Sequence, residues 1–122
     1  NINGVSANRL LERDFKVFTA GKLRFGISQA EFINESRREE AIALAKPALE
    51  QYRLVSGLSI LFFMLTDISS KTSYVLFTGS GAKELLEEAF RAKLQNGMFV
   101  LNGVVSRKKQ FVPAILEAVN RI

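Results

Sequence analysis

The 122 residues carry 17 Lys and Arg against 12 Asp and Glu, a formal net charge of +5, with 48% hydrophobic content. That length supplies one domain with one core, and the cationic balance favours anionic partners. Because the chain has neither histidine nor cysteine, disulfides and Ser-His or Cys-His nucleophiles are excluded and a zinc site is disfavoured.

A carboxylate cage for a hard metal needs clustered aspartates, and the two present, Asp14 and Asp67, lie far apart. The chain therefore reads as a binding half without a reaction centre or metal site of its own. The longest apolar run, Leu58 to Leu65, is too short to cross a bilayer, so no membrane partner is expected. Asn1-Ile2-Asn3-Gly4 carries no signal-peptide pattern, and cytoplasmic residence is the expectation.

In chain order, Val5 to Arg13 reads as a short helix capped by Asn3 or Ser6, with Leu10-Leu11 as its apolar contact. Asp14 to Phe18 alternates charged and apolar residues as a strand would, with Phe15 and Val17 inward or Phe18 re-aimed by a bend. Thr19-Ala20-Gly21-Lys22 is a turn. Lys22 to Gln29 then alternates strictly, with Leu23, Phe25 and Ile27 on one face and Lys22, Arg24 and Ser28 on the other. Together the two runs predict a hairpin.

From Asn34 to about Tyr52 the period becomes helical through Ile42, Ala45, Leu49 and Tyr52. Pro47 predicts a kink or a break into two helices, and Gly57 ends the element. Leu58 to Leu65 has no polar face and predicts a central strand buried on both sides. Thr66-Asp67-Ile68-Ser69-Ser70 leaves its C-terminal end, the edge where ligands and partner surfaces collect in open α/β sheets. Asp67 reads equally as a turn residue and as an inter-domain contact. Ser73 to Thr78 is another strand. Gly79-Ser80-Gly81 leads into a helix from Ala82 to about Ala92, and lacks the spacing and Lys-Ser/Thr ending of a phosphate loop. Gln95-Asn96-Gly97 turns into a last strand, Met98 to Leu101. The final helix carries Phe111, Ile115, Ala118, Val119 and Ile122 on one face. The expected fold is a single α/β domain over 1–122, a mixed sheet of about five strands with helices on both faces.

Arg107-Lys108-Lys109 falls just before, or in the first turn of, that final helix. A helix N-terminus presents unpaired N–H groups and the positive pole of the macrodipole, where stability alone would place Asp or Glu. Cations there make sense if an anion neutralises them, and phosphate suits helix N-termini, Arg and Lys alike. A basic triplet also serves as a solvated patch or a nucleic-acid tract. The apolar flanks Val104-Val105 and Phe111-Val112-Pro113 tie this one to a packed framework.

Set side by side, Asp14-Phe15-Lys16, Gly26-Ile27-Ser28-Gln29, Thr66-Asp67-Ile68 and Gly103-Val104-Val105-Ser106-Arg107-Lys108-Lys109-Gln110 with Val112-Pro113 resemble the C-terminal, DHH-associated domain of manganese-dependent (family II) inorganic pyrophosphatases. The last run is the specific one, and the resemblance spans nearly the whole chain. Asn102 and Ala114 stand where the family usually has Pro, a matter of loop stiffness. The resemblance implies a two-domain hydrolase whose N-terminal Asp-His-His domain, absent from this chain, acts in cis and holds Mn²⁺ or Mg²⁺. This domain would clamp pyrophosphate through Arg107, Lys108 and Lys16, with Lys109 and Ser106 in supporting positions and no catalytic residue. The isolated domain would be inactive, and a homo-oligomer of the full-length protein is compatible with it.

Two alternatives stay open on the residues: a stand-alone basic module for anions or nucleic acid, and a domain of a related exopolyphosphatase. The sequence shows no helix-turn-helix, aromatic RNA-binding strand or glycine-clamp loop, which argues against nucleic acid.

Overall fold

The computed structural model describes residues 15–32, 35–95, 97–102 and 107–121. Five strands form one sheet in the order β1-β2-β3-β4-β5: β1 Lys16–Ala20, β2 Leu23–Phe32, β3 Ile60–Asp67, β4 Thr72–Gly79 and β5 Phe99–Asn102. Strands β2 and β3 pair in parallel, and the other three neighbouring pairs are antiparallel. Three helices cover the sheet: α1 Arg38–Ser56, entered through a 3₁₀ turn at Glu35–Arg37, then α2 Ala82–Phe90 and α3 Arg107–Asn120. The mixed sheet of about five strands with helices on both faces is thus present. The helix expected over Val5 to Arg13 lies outside the described residues.

The apolar β3 organises the domain because neither of its faces can tolerate water. Ile60, Phe62 and Met64 pack with Phe25 and Ile27 of β2, Leu85 and Leu86 of α2, and Phe111 and Ile115 of α3. Leu61, Phe63 and Leu65 pack with Ala30 and Phe32 of β2 and with Ala41, Ile42, Ala45 and Leu49 of α1. Helices α2 and α3 therefore lie on one face and α1 on the other. The Phe62 ring takes edge-on contacts from Phe25 and Phe111, with centroids 6.2 and 6.3 Å away, an arrangement favoured by the aromatic quadrupole.

Double-sided burial also corrects the reading of the first two strands. Phe15 packs on the α1 side and Phe18 on the α2/α3 side, so no bend is needed to bury both. Val17, expected to point inward, is 41% exposed. It sits opposite Gly26 on an edge strand that α1 does not cover at that point. Ser28, expected on an outward polar face, is buried beneath α1, and β2 runs on past Gln29 to Phe32. The two-residue link Gly21-Lys22, with Gly21 at φ 59, gives the tight hairpin of the type that matches strand twist.

No break occurs at Pro47, since α1 is continuous across it. Pro47 and Ala43, whose carbonyl loses its i+4 donor, are both exposed, so the break in the hydrogen-bond ladder lies on the solvent side of the helix. Gly57 ends α1 at φ 68, its N–H donating to the Arg53 carbonyl at 2.8 Å. Helix α2 stops two residues earlier than expected, with Arg91 left-handed at φ 50.

In Gly79-Ser80-Gly81 the first glycine is required by packing and the second by its left-handed backbone, φ 84, with open space around it. A Cβ on Gly79 would lie 2.2 Å from the Ser59 carbonyl oxygen, and its φ is 118. Gly79→Ala should therefore lower the stability of the chain by about 2–6 kcal/mol, the sum of clash and backbone strain, measured by urea unfolding.

Asp67 closes β3. It is fully buried, and its Oδ1 accepts from the Ser69 N–H at 3.0 Å, the Ser69 hydroxyl at 2.8 Å and the Ser70 N–H at 3.4 Å. Burial pushes its pKa up, but the hydrogen bonds from Ser69 and Ser70 outweigh burial and the net displacement is downward. A carboxyl with a lowered folded pKa contributes stability that is present above its unfolded value, near ~3.9, and is lost as pH falls through the folded pKa. The urea midpoint of Asp67→Asn should thus lie furthest below that of the parent near neutral pH, and the gap should close in acid.

Candidate functional site

Register places the ends of several elements at one edge of the sheet. Phe32, Asp67, Thr72 and Asn102 form a continuous row across β2, β3, β4 and β5. Since β2, β3 and β5 run the same way, their C-terminal ends converge on that row. In open α/β sheets this is the edge beside which ligands bind.

The basic triplet enters from the same edge. Residues 103–106 connect Asn102, the last residue of β5, to Arg107, the first of α3. Arg107, Lys108 and Lys109 occupy the first turn of α3, which contains no acidic residue, and Lys109 is exposed. Each cation beside the positive helix pole costs about 0.3–1 kcal/mol at low ionic strength. Ser106 lies outside the described residues.

Lys16 opens β1 and is exposed. It pairs with Ile27, which is in register with Phe62, so Lys16 shares the sheet face that carries α3. Phe111 of α3 lies against Phe62, two strand spacings, about 10 Å, from the Lys16 position. Arg107 precedes Phe111 by four residues, about 6 Å along the helix axis. The fold thus brings Lys16 and the α3 N-terminus to neighbouring places on one face, although 91 positions separate Lys16 from Arg107 in the chain.

Residues that the sequence reading passed over lie on the same face. Glu31, Thr66 and Ser73 lie in one row on the α3 face, one step in from the edge. The Thr66 and Ser73 hydroxyls are 3.2 Å apart. Gln29 lies on the same face of β2. Carrying the strict alternation of β2 beyond Gln29 would have placed both Gln29 and Glu31 on that face.

The other shifted carboxylate lies elsewhere. Glu50 is held below its ordinary value chiefly by the hydrogen bond from Arg53. It borders a hollow of about 230 Å³ with Lys46 and Thr78, at the opposite end of the sheet from the convergent row. Among the described residues no group of three His, Cys, Asp or Glu could hold a metal ion, and the donor set does not fit one. No helix among them is long and apolar enough to cross a membrane.

Comparison with known proteins agrees with this architecture. The chain is 32% identical over 123 residues to the manganese-dependent inorganic pyrophosphatase of Methanocaldococcus jannaschii, covering 98% of this chain and 38% of that protein. It is 33% identical over 122 residues to the cobalt-dependent inorganic pyrophosphatase of Clostridium perfringens, covering 98% of this chain and 22% of that one. A crystal structure of a Methanococcus jannaschii protein assigned as a family II inorganic pyrophosphatase superposes with a TM-score of 0.68 at 37% identity, over 88% of this chain and 34% of its own. The chain therefore spans well under half the length of these relatives. The DHHA2 domain pattern matches residues 1–118, and the chain belongs to the DHHA2 domain family.

Proposed function

We propose that the chain is the substrate-clamping C-terminal domain, over residues 1–122, of a metal-dependent inorganic pyrophosphatase that converts diphosphate and water to two phosphates. The observation that carries the reading is that Lys16 and the basic first turn of α3 share one face of the sheet. Its relatives bear the pyrophosphatase name.

In this reading Arg107, Lys108 and Lys16 bind the phosphates. Arg107 offers a planar fork suited to two phosphate oxygens at once, while Lys108 and Lys16 act as compact point charges. Lys109, which is exposed, and Ser106 would take supporting positions. The positive pole of α3 favours the same anion, and the ligand's charge relieves the repulsion among the cations. Phosphoryl transfer needs positioning and charge neutralisation more than covalent help, so a domain built this way contributes without a nucleophile. Metal ions, manganese or magnesium, would be held by a second, Asp-His-His-bearing domain of the same protein and would supply the activated water. Cytoplasmic residence accords with the cysteine-free sequence.

In full-length protein with Mn²⁺, Arg107→Ala or Lys108→Ala should each lower pyrophosphate turnover by roughly 10²–10³-fold, with metal affinity unchanged by calorimetry. Unchanged turnover would remove both residues from the site. The 122-residue chain alone should release no phosphate from pyrophosphate in the presence of Mn²⁺, and metal-dependent release by the purified chain would refute the division of labour.

A further inference from the structure

Lys16 sits on a short edge strand, where a side chain is poorly fixed unless the backbone beneath it is held. The preceding residue supplies that hold. The Phe15 ring stacks on the Tyr52 ring of α1 with centroids 3.9 Å apart and planes 13° from parallel. It occupies a slot that exists because residue 26 is glycine. A Cβ there would lie 2.6 Å from Phe15 Cε1, 2.7 Å from Leu58 Cδ1 and 2.9 Å from Leu61 Cδ2.

The slot is itself anchored. Arg24 of β2 donates from Nη1 to the Ser56 carbonyl at the end of α1, and the Ser59 N–H donates to the Arg24 carbonyl at 2.8 Å. The end of α1, the start of β3 and β2 are therefore tied together around the ring. Successive strand residues point to opposite faces, so fixing Phe15 on the α1 side sets Lys16 on the α3 side.

We infer that Phe15, Tyr52 and Gly26 form a positioning lock through which Lys16 is held toward the phosphate site. The inference rests on the clamp reading of Lys16 given above. None of the three residues touches substrate in this arrangement, and their effect on pyrophosphate runs through the one lysine.

The test is a double-mutant cycle in the full-length protein, read by kcat/KM for pyrophosphate with Mn²⁺ and by calorimetric binding of the non-hydrolysable analogue imidodiphosphate. Tyr52→Ala should weaken both about tenfold in the parent but less than about twofold in the Lys16→Ala background, because misplacing a group that is already gone changes nothing. Tyr52→Phe, which keeps the ring face, should match the parent in both readouts. Equal losses in the two backgrounds, or no loss in the parent, would overturn the lock. An unaltered kcat/KM in Lys16→Ala itself would instead remove Lys16 from the clamp, and the lock with it. Gly26→Ala is unsuited as the primary variant, since its clashes with Leu58 and Leu61 threaten the core as a whole.

Discussion

Burial of β3 on both faces is the constraint from which the remaining geometry follows. A run of Ile60, Leu61, Phe62, Phe63, Met64 and Leu65 has no side to offer water, so each face must be covered by a separate layer. Helix α1 supplies one cover, α2 and α3 the other. Once α3 is bound over Phe62 through Phe111, the direction of its axis and the position of its first turn are largely decided. The place where cations accumulate is thus a consequence of how an apolar strand is shielded.

A conflict remains at that first turn. Three cations beside a positive helix pole repel one another and the dipole, and no acidic residue in the turn offsets them. The row of Glu31, Thr66 and Ser73 on the same face places one carboxylate and two hydroxyls one step in from the edge. Lys16, in the row of Ile27 and Phe62, stands on the same face four residues further from the edge than Glu31.

The chain order of strands and helices from Lys16 onward was legible because the signals were local. The period changes at α1, the apolar run of β3 and the turns at Gly21 and Gly57 all lie within a few residues of what they determine. Where the reading failed, the cause was non-local. Ser28 looks outward from alternation alone, and only the arrival of α1 over that face buries it. Pro47 looks like a breaker until Ala43 and Pro47 are seen to share the wet side of the helix. The glycines at 79 and 26 read as loop and motif residues, while contacts with Ser59 and Phe15 from elsewhere in the chain explain them.

By itself the amino-acid sequence determined the element types, the two-sided core strand, the lack of His and Cys chemistry and the placement of Arg107-Lys108-Lys109 at a helix start. These depend on periodicity and residue chemistry within single segments. Tertiary structure alone decided that Lys16 shares a face with that helix start, that Glu31, Thr66 and Ser73 line up beside it, and that Phe15 fills the space above Gly26. Strand register and helix docking set those relations, and they are sums over contacts between segments far apart in the chain, which no local pattern encodes.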